Sequence, residues 1–176
     1  MKFYLLTAFG KDRPGIVAEL TGALFELGSN IEDASMTRLG GEFSIMLVVR
    51  VPSPNFEKQV SALAKKLNLT LTAKPIPAQL ASSSAAPQAQ HLISVYGTDK
   101  PGIIYRVAQC LARRKINITD LNTRVLQRAK EPLYIMLLEV HIPSTAVAEA
   151  LHADLDRLHQ ELGVEITLQE LDAVPL

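Results

Sequence analysis

The sequence repeats a short turn in which charged residues are followed by a proline, a glycine and the start of an apolar run. The first copy is KDRPGIVAEL, residues 11–20, and the second is TDKPGIIYRV, residues 98–107. In each copy the run predicts a helix, whose leading amides have no acceptor within the helix. Such amides, at Gly15 and Ile16 in the first copy, bind carboxylates with help from the positive end of the helix dipole. The predicted chemistry is recognition of a small anion.

An asparagine follows each predicted helix, Asn30 in the first copy and Asn117 in the second. The carboxylate of Asp12 and an asparagine side-chain carbonyl would together accept hydrogen bonds from an α-ammonium group. Because Asn30 begins a strand at the opposite end of the helix from Asp12, both reach one ligand only where another domain presents the asparagine or two domains share the site. The combination predicts an α-amino-acid site at a domain interface.

The same residues also have a purely structural interpretation. Asp12 can cap the helix that follows it, Pro14 and Gly15 are ordinary turn residues, and Asn30 is a residue type that tolerates a left-handed backbone. A duplicated fold copies its caps with everything else. The repetition therefore does not decide between a binding site and a structural turn.

The repeat covers most of each half of the chain. A shift of 87 positions pairs Asp12 with Asp99 and Asn30 with Asn117, whereas the alternation of apolar residues further on pairs Phe43 with Tyr134, a shift of 91. The difference predicts about four extra residues in the second hairpin, around QRAKEP, compared with the compact LGGE of the first. Two copies of such a long period indicate two complete domains.

Each half has the pattern strand, helix, strand, hairpin, strand, helix, strand. This predicts an α+β protein with two ferredoxin-like βαββαβ domains, each an antiparallel sheet with its helices on one face. We expect Gly10 to allow a sharp turn after the first strand, Gly28 to end the first helix, and Ser53 and Pro54 to start the second. The stretch PAQLASSSAAPQAQ is typical of an exposed linker. The predicted divisions are residues 1–76 for the first domain, 77–89 for the linker and 90–176 for the second domain.

The composition is that of an ordinary globular protein. The 176 residues are 48% hydrophobic and 20% charged, which separates the chain from compositions that stay disordered. Lysine plus arginine equal aspartate plus glutamate at 18 each, so no long-range field attracts a polyanion. The aromatic residues on the predicted central strands, Tyr4, Phe43, Tyr96 and Tyr134, lack the basic surround of a base-stacking surface. We therefore expect no direct nucleic-acid binding.

Other reactive residues give no sign of catalysis. Cys110 is the single cysteine, which excludes an internal disulfide and fits a reducing cytoplasm. His152 and His159 are too far apart on a helix for an adjacent-turn metal pair. We find no clustered acid, base and nucleophile, and expect no enzymatic activity, metal or cofactor. The N-terminal run is broken by turn residues and no stretch has the length of a membrane span, so a cytoplasmic protein is expected.

Two long stretches carry a resemblance to a known family. KDRPGIVAELTGALFELGSNIEDASMTRLGGEFSIMLVV resembles the first ACT domain of glycine cleavage system transcriptional repressors, and TDKPGIIYRVAQCLARRKINITDL is similar to a second ACT domain. The turn Asp-Arg/Lys-Pro-Gly-Ile, followed by a helix and Asn-Ile, is typical of ACT domains in general. The run NIEDASMTRLGGEFSIML points to the repressors. The resemblance covers both halves of the chain and leaves out the linker and the C-terminal end.

The resemblance implies which residues contact a ligand. In ligand-binding ACT domains the positions of Asp12, Gly15 and Asn30, with their counterparts in the second copy, contact an amino acid, usually across two domains packed edge to edge. This sequence has aspartate where some of those relatives have asparagine. The candidate ligand-binding residues are Asp12, Arg13, Pro14, Gly15, Ile16, Asn30, Ile31, Asp99, Lys100, Pro101, Gly102, Ile103, Asn117 and Ile118.

The resemblance also implies a function. It implies a non-enzymatic regulatory protein without a DNA-binding domain, which senses glycine or a similar small amino acid and acts by contact with a transcriptional activator. A homodimer is expected, because ACT domains commonly complete their sheets with one another. The alternative is an ACT-type regulatory subunit that controls an enzyme of amino-acid metabolism.

Overall fold

The computed structural model describes residues 1–52, 55–81, 91–127 and 132–171. The chain divides into two compact units, which we call the first unit, residues 1–84, and the second unit, residues 85–176. The predicted helix start at Ser53 and Pro54 lies outside the described residues. The tip of the long second hairpin and most of the predicted linker lie outside them as well.

Both units have the same order of strands and helices, to which the first adds a short final helix. The first unit contains β1 Lys2–Lys11, α1 Ile16–Glu26, β2 Asn30–Leu39, β3 Glu42–Val51, α2 Phe56–Leu67, β4 Thr70–Ile76 and α3 Ala78–Ala81. The second contains β5 His91–Thr98, α4 Ile103–Arg113, β6 Asn117–Leu126, β7 Leu133–His141, α5 Thr145–Leu162 and β8 Glu165–Glu170. The strand orders are β2-β3-β1-β4 and β6-β7-β5-β8, with antiparallel neighbours. These are the two ferredoxin-like domains of the predicted α+β fold.

Strand alternation places the core between each sheet and its helices. A fully buried leucine or valine contributes about 1.5–3 kcal/mol relative to an exposed one, so a two-residue period fixes which face turns inward. The inward residues of the third strand of each unit, and the residue after β7, are those that the sequence predicted. They are Phe43, Ile45, Leu47, Val49 and Val51 in the first unit, and Tyr134, Met136, Leu138, Val140 and Ile142 in the second.

The two hairpins differ in length as the sequence predicted. β2 and β3 are joined by Gly40 and Gly41, whose φ angles of 61° and 84° are those of a tight two-residue turn that matches strand twist. β6 ends at Leu126 and β7 begins at Leu133, which leaves six residues between them. The second hairpin is therefore four residues longer than the first.

The prediction that Gly10 makes a turn is wrong. Gly10 lies inside β1, opposite Phe43 of β3, and its counterpart Gly97 lies inside β5, opposite Tyr134. A Cβ atom on Gly10 would lie 2.7 Å from Cδ2 of Leu69, and one on Gly97 would lie 2.7 Å from Cγ1 of Val164. At both positions the residue before the last strand packs on the glycine, through a flexible side-chain end at Gly10 and more rigidly, down to the backbone Cα of Val164, at Gly97.

The predicted end of the first helix is confirmed. Leu27 is the C-cap of α1 and Gly28 follows it with a φ of 69°, in the left-handed region that glycine favours. In the second unit the aligned residue is Lys115, which adopts a φ of 57°. The fold therefore imposes the same backbone on a residue that has a Cβ atom.

One part of the predicted linker is helical. The helix α3 begins after Pro77, whose carbonyl accepts bonds from the amides of Leu80 at 3.0 Å and Ala81 at 3.3 Å. Proline suits the start of a helix because its missing N–H has no partner there in any case. Local turn chemistry thus forms one turn of helix within the stretch that the composition predicted to be a linker.

Candidate functional site

Each repeated turn enters its helix through a glycine that adopts a left-handed backbone. Gly15 has a φ of 87° and Gly102 a φ of 92°, and each is the N-cap of its helix, without a capping side chain. This conformation costs any other residue about 1–2 kcal/mol. The glycines therefore set the direction in which the first amides of α1 and α4 point, and Pro14 and Pro101 fix the turn before them.

A concave surface lies beside each turn, on the helix side of the sheet. The residues that line the first are Asp12, Arg13, Pro14, Gly15, Ile16, Val17, Ala18, Met36 and Arg38. The residues that line the second are Asp99, Lys100, Gly102, Ile103, Ile104, Tyr105 and Tyr134. The structure thus brings most of the predicted turn residues of each copy together around one concave surface.

In the first unit, the chain's own groups occupy much of this surface. Nε of Arg38 lies 2.8 Å from Oδ2 of Asp12, so the aspartate pairs with β2 and does not cap α1. The amide of Ile16 donates to the carbonyl of Arg13 at 3.3 Å, so the prediction that this amide is free is wrong. The turn closes on itself as a short 3₁₀-type bend, which the sequence pattern does not reveal.

Arg13 also has a partner within the first unit. Its guanidinium donates two bonds of 2.6 Å to the carboxylate of Glu19, one turn into α1. The hydrogen bonds to Arg13 hold the pKa of Glu19 below its usual value, and those to Glu19 raise the pKa of Arg13. A ligand that recruits Arg13 would have to replace this exposed pair, which the surrounding water screens.

At the turn of the second unit, more polar groups lack a hydrogen-bond partner than at the turn of the first. Among the described residues, the carboxylate of Asp99 and the amides of Gly102 and Ile103 have no hydrogen-bond or ion-pair partner. Nζ of Lys100 donates to the carbonyl of Leu162 at 2.7 Å and so completes the C-terminus of α5. The second turn thus offers an acceptor and two donors on one concave surface.

Tyr134 lines the second concave surface but is not among the predicted ligand-binding residues. Its side chain is 6% exposed, and its hydroxyl is buried without a partner among the described residues. Burial, and next the charge of Asp99, raise the pKa of this hydroxyl above its usual value. The alignment of Tyr134 with Phe43 is the sequence signal that could have revealed this residue, because the two side chains differ only by the hydroxyl of the tyrosine.

The asparagines lie far from the turns of their own units. Asn30 pairs with Arg50 at one end of the first sheet, whereas Arg38, which bonds Asp12, pairs with Phe43 near the other end. Asn30 and Arg38 are eight positions apart on β2, about 26 Å at roughly 3.3 Å per residue. Asn117 begins β6 in the same way, opposite His141. The structure thus separates aspartate and asparagine within a unit, as the sequence predicted.

Asn30 does not occupy a left-handed turn position. Its Nδ2 donates to Oε1 of Glu32 at 3.0 Å, and Nε of Arg50 donates to the same oxygen at 2.6 Å. These bonds, that from Asn30 first, lower the pKa of Glu32. Among the described residues, positive φ outside glycine occurs at Asn68 and Lys115, which makes the left-handed interpretation of Asn30 wrong.

A β-bulge follows each asparagine. The register of β2 against β3 shifts between Ile31 and Asp33, and that of β6 against β7 shifts between Ile118 and Asp120. Ile31 and Ile118 are half-buried against the two cores, so they anchor the strand starts by packing. A bulge adds local twist and bends its strand, here just after each asparagine.

Three of the four aromatic residues weighed for base stacking are buried. Tyr4, Phe43 and Tyr134 are 3%, 0% and 6% exposed, so their rings cannot stack on bases, and only Tyr96 of this set is partly exposed. In the described ranges, no group of three histidine, cysteine or acidic side chains is placed to hold a metal ion. No helix in the same ranges combines the length and apolar character of a membrane span.

Comparison with known proteins adds a family and several relatives. The family model of the ACT domain matches residues 2–74 and 90–169. The glycine cleavage system transcriptional repressor of Escherichia coli K12 is 26% identical over 179 residues, which cover 95% of this chain and 87% of the repressor. A UPF0237 protein of Methanococcus maripaludis is 36% identical over 80 residues, 44% of this chain and 83% of that protein.

A solved structure extends the likeness to the whole fold. The crystal structure of an unknown protein from Galdieria sulphuraria superposes with a TM-score of 0.80 at 28% identity. The match covers 97% of this chain and 98% of the other. Both repeats are therefore matched together in a single related chain.

Proposed function

This chain belongs to the ACT-domain family, and from that premise we propose that it is a non-enzymatic regulatory protein that senses a small α-amino acid, glycine or one of similar size. The observation that carries the proposal is the second turn, residues 99–103. There the Asp99 carboxylate and the amides of Gly102 and Ile103 border one concave surface, and none has a partner among the described residues. A carboxylate acceptor beside two amide donors complements a zwitterion.

The first turn, residues 12–16, would bind the same class of ligand less readily. The carboxylate of Asp12 is paired with Arg38, and the amide of Ile16 donates to the carbonyl of Arg13. The Arg38 side chain is 67% exposed, so exchange of its ion pair for a ligand contact costs little. Both turns therefore remain binding candidates, with the second as the stronger site.

The asparagines would enter the site from a second copy of the chain. Within a unit, Asn30 and Asn117 are too distant to touch a ligand at the turn, but both lie on edge strands, β2 and β6. Edge strands carry unpaired backbone groups on their outer side and pair readily with another chain. A homodimer built on such an edge would bring an asparagine from one chain towards a turn of the other.

The regulatory partner would be a protein, and by likeness to the Escherichia coli relative a transcriptional activator. The relative is named as a transcriptional repressor of the glycine cleavage system. Formal charge in this chain balances to zero, which gives no general attraction to DNA. Repression would thus act through contact with the activator, with the amino acid setting the strength of that contact.

Calorimetric titration of the full chain with each of the twenty common amino acids tests the proposal. Saturable binding of glycine or another small amino acid is expected, with no heat on addition of the large aromatic ones. A parallel DNA titration at low salt is expected to show no complex. Silence toward all twenty amino acids would rule out sensing and leave protein contact as the only role.

A further inference from the structure

The third strand of each unit carries an aromatic residue at the same place in the sheet. Phe43 of β3 faces Gly10, and Tyr134 of β7 faces Gly97. Each of these glycines lies just before the repeated turn of its unit. The phenyl ring of Phe43 is fully buried and completes the first core. The phenol of Tyr134 adds one oxygen atom at that place, and the ring lines the surface beside the second turn.

The hydroxyl of Tyr134 is costly to the unliganded fold. It is more than nine-tenths buried and lacks a partner among the described residues. A buried hydroxyl without a hydrogen bond loses its water and gains nothing in exchange, so a phenylalanine would fill the core equally well. The oxygen is explained if a ligand supplies the missing bond.

The surroundings indicate what that ligand group is. Tyr134 lines the same concave surface as Asp99, Gly102 and Ile103, with its hydroxyl buried beneath that surface. On the proposed function the carboxylate of Asp99 and the turn amides hold the ammonium and carboxylate of an amino acid. A neutral phenol, which both donates and accepts, then remains for a short polar side chain. In the first unit the same place holds Phe43, which is fully buried and has no polar side-chain atom.

We propose that Tyr134 makes the second site selective for an amino acid that carries a side-chain hydroxyl, and that the first site lacks this selectivity. The inference rests on the proposed amino-acid sensing and adds the side-chain class to it. A site that hydrogen-bonds a ligand hydroxyl disfavours the analogue without it, because its own polar group is then left unpaired. One such bond corresponds to a preference of about tenfold.

L-serine and L-alanine differ by one hydroxyl and are the probes for this test. Both are titrated into the full chain carrying D12A, which weakens the first site, and into the D12A/Y134F chain. The expected result is about tenfold tighter binding of serine than of alanine by D12A, with the preference lost in D12A/Y134F. Y96F in the D12A background is the matched control, because Tyr96 lies on the same unit's opposite sheet face, and it should keep the preference.

The outcomes separate this inference from the function on which it rests. Equal affinity for serine and alanine in D12A, or an unchanged preference after Y134F, overturns the role of Tyr134 and leaves amino-acid sensing intact. Loss of all binding in D12A would confine sensing to the first site and overturn the inference as well. Absence of amino-acid binding to the unaltered chain removes the sensing proposal itself.

Discussion

Nε of Arg38 lies 2.8 Å from Oδ2 of Asp12, which ties the first aspartate of the repeat to strand β2. The aspartate does not hold the helix start, and on the proposed function it contacts the ligand by exchange of this ion pair. Its second-unit counterpart, Asp99, has no such partner among the described residues. Two turns with nearly the same sequence thus differ in the contacts of their aspartates.

The role of Asp12 can be separated from helix capping by mutation. Asp12→Ala is expected to lower the free energy of unfolding by less than about 1 kcal/mol, because it removes only an exposed ion pair. Ser144→Ala is the control, since Ser144 Oγ accepts a bond from the amide of Val147 and caps α5, a contact worth about 1 kcal/mol. Urea unfolding measures both. Amino-acid affinity at the first site should fall, whereas an unchanged affinity with a cap-sized stability loss would contradict the account.

Replacing either glycine before the turns, Gly97 or Gly10, by alanine should destabilise the fold. Gly97→Ala is expected to cost about 1–3 kcal/mol, because its Cβ would lie within 3.2 Å of three atoms of Val164, including the backbone Cα. Gly10→Ala should cost less, since its close contact is the end of the flexible Leu69 side chain. Thermal unfolding of the two variants tests this order.

Gly22 provides the matched control for these substitutions. It lies in the middle of α1, and a Cβ atom there would meet nothing within 4 Å. Gly22→Ala should therefore stabilise the chain by about 0.5–1 kcal/mol, since alanine is the better helix former. Destabilisation of Gly22→Ala comparable to that of Gly97→Ala would show that the effect is not steric.

Replacing Lys115 by glycine should stabilise the folded chain. Its φ of 57° is strained for a residue with a Cβ atom, so Lys115→Gly is expected to raise the free energy of unfolding by about 1 kcal/mol. Gly28→Ala, at the aligned position of the first unit, should lower it by a similar amount. Lys115→Ala separates the backbone effect from loss of charge and should leave stability nearly unchanged. Equal responses to Lys115→Gly and Lys115→Ala would contradict the backbone explanation.

Cys110 should react slowly in the folded chain. It is 8% exposed, and burial, followed by the nearby charge of Asp154, raises the pKa of its thiol. A raised pKa keeps the thiol protonated to higher pH, so alkylation by iodoacetamide should reach its midpoint above the pH of about 8.5 usual for a free thiol. The urea-unfolded chain should show the ordinary midpoint. Identical pH profiles before and after unfolding would refute the burial argument.

The sequence predicted the parts of the fold that depend on local periodicity. The alternation of apolar residues from Phe43 to Val51 predicted which face of the strand is buried. The increase of the alignment shift from 87 to 91 positions predicted the extra residues in the second hairpin. The wide separation of Asp12 and Asn30 followed from the length of the helix between them. Each of these depends on residues close together in the chain.

Features that depend on distant contacts were not predicted. Gly10 packs against Leu69, nearly sixty positions along the chain, and the sequence alone suggested a turn there. The partner of Asp12 is on another strand, and the amide of Ile16 is used by a bend that no residue type marks. The bulges after Asn30 and Asn117 have no compositional signal either, because they arise from register between strands.

Calorimetric titration of the D12A/D99A double variant, beside the unaltered chain, tests the central claim that the two turns bind an amino acid. The account predicts saturable binding of a small amino acid by the unaltered chain and none by the double variant, with the same melting temperature for both within a few degrees. Binding that persists in the double variant, or a chain that binds no amino acid at all, would contradict it.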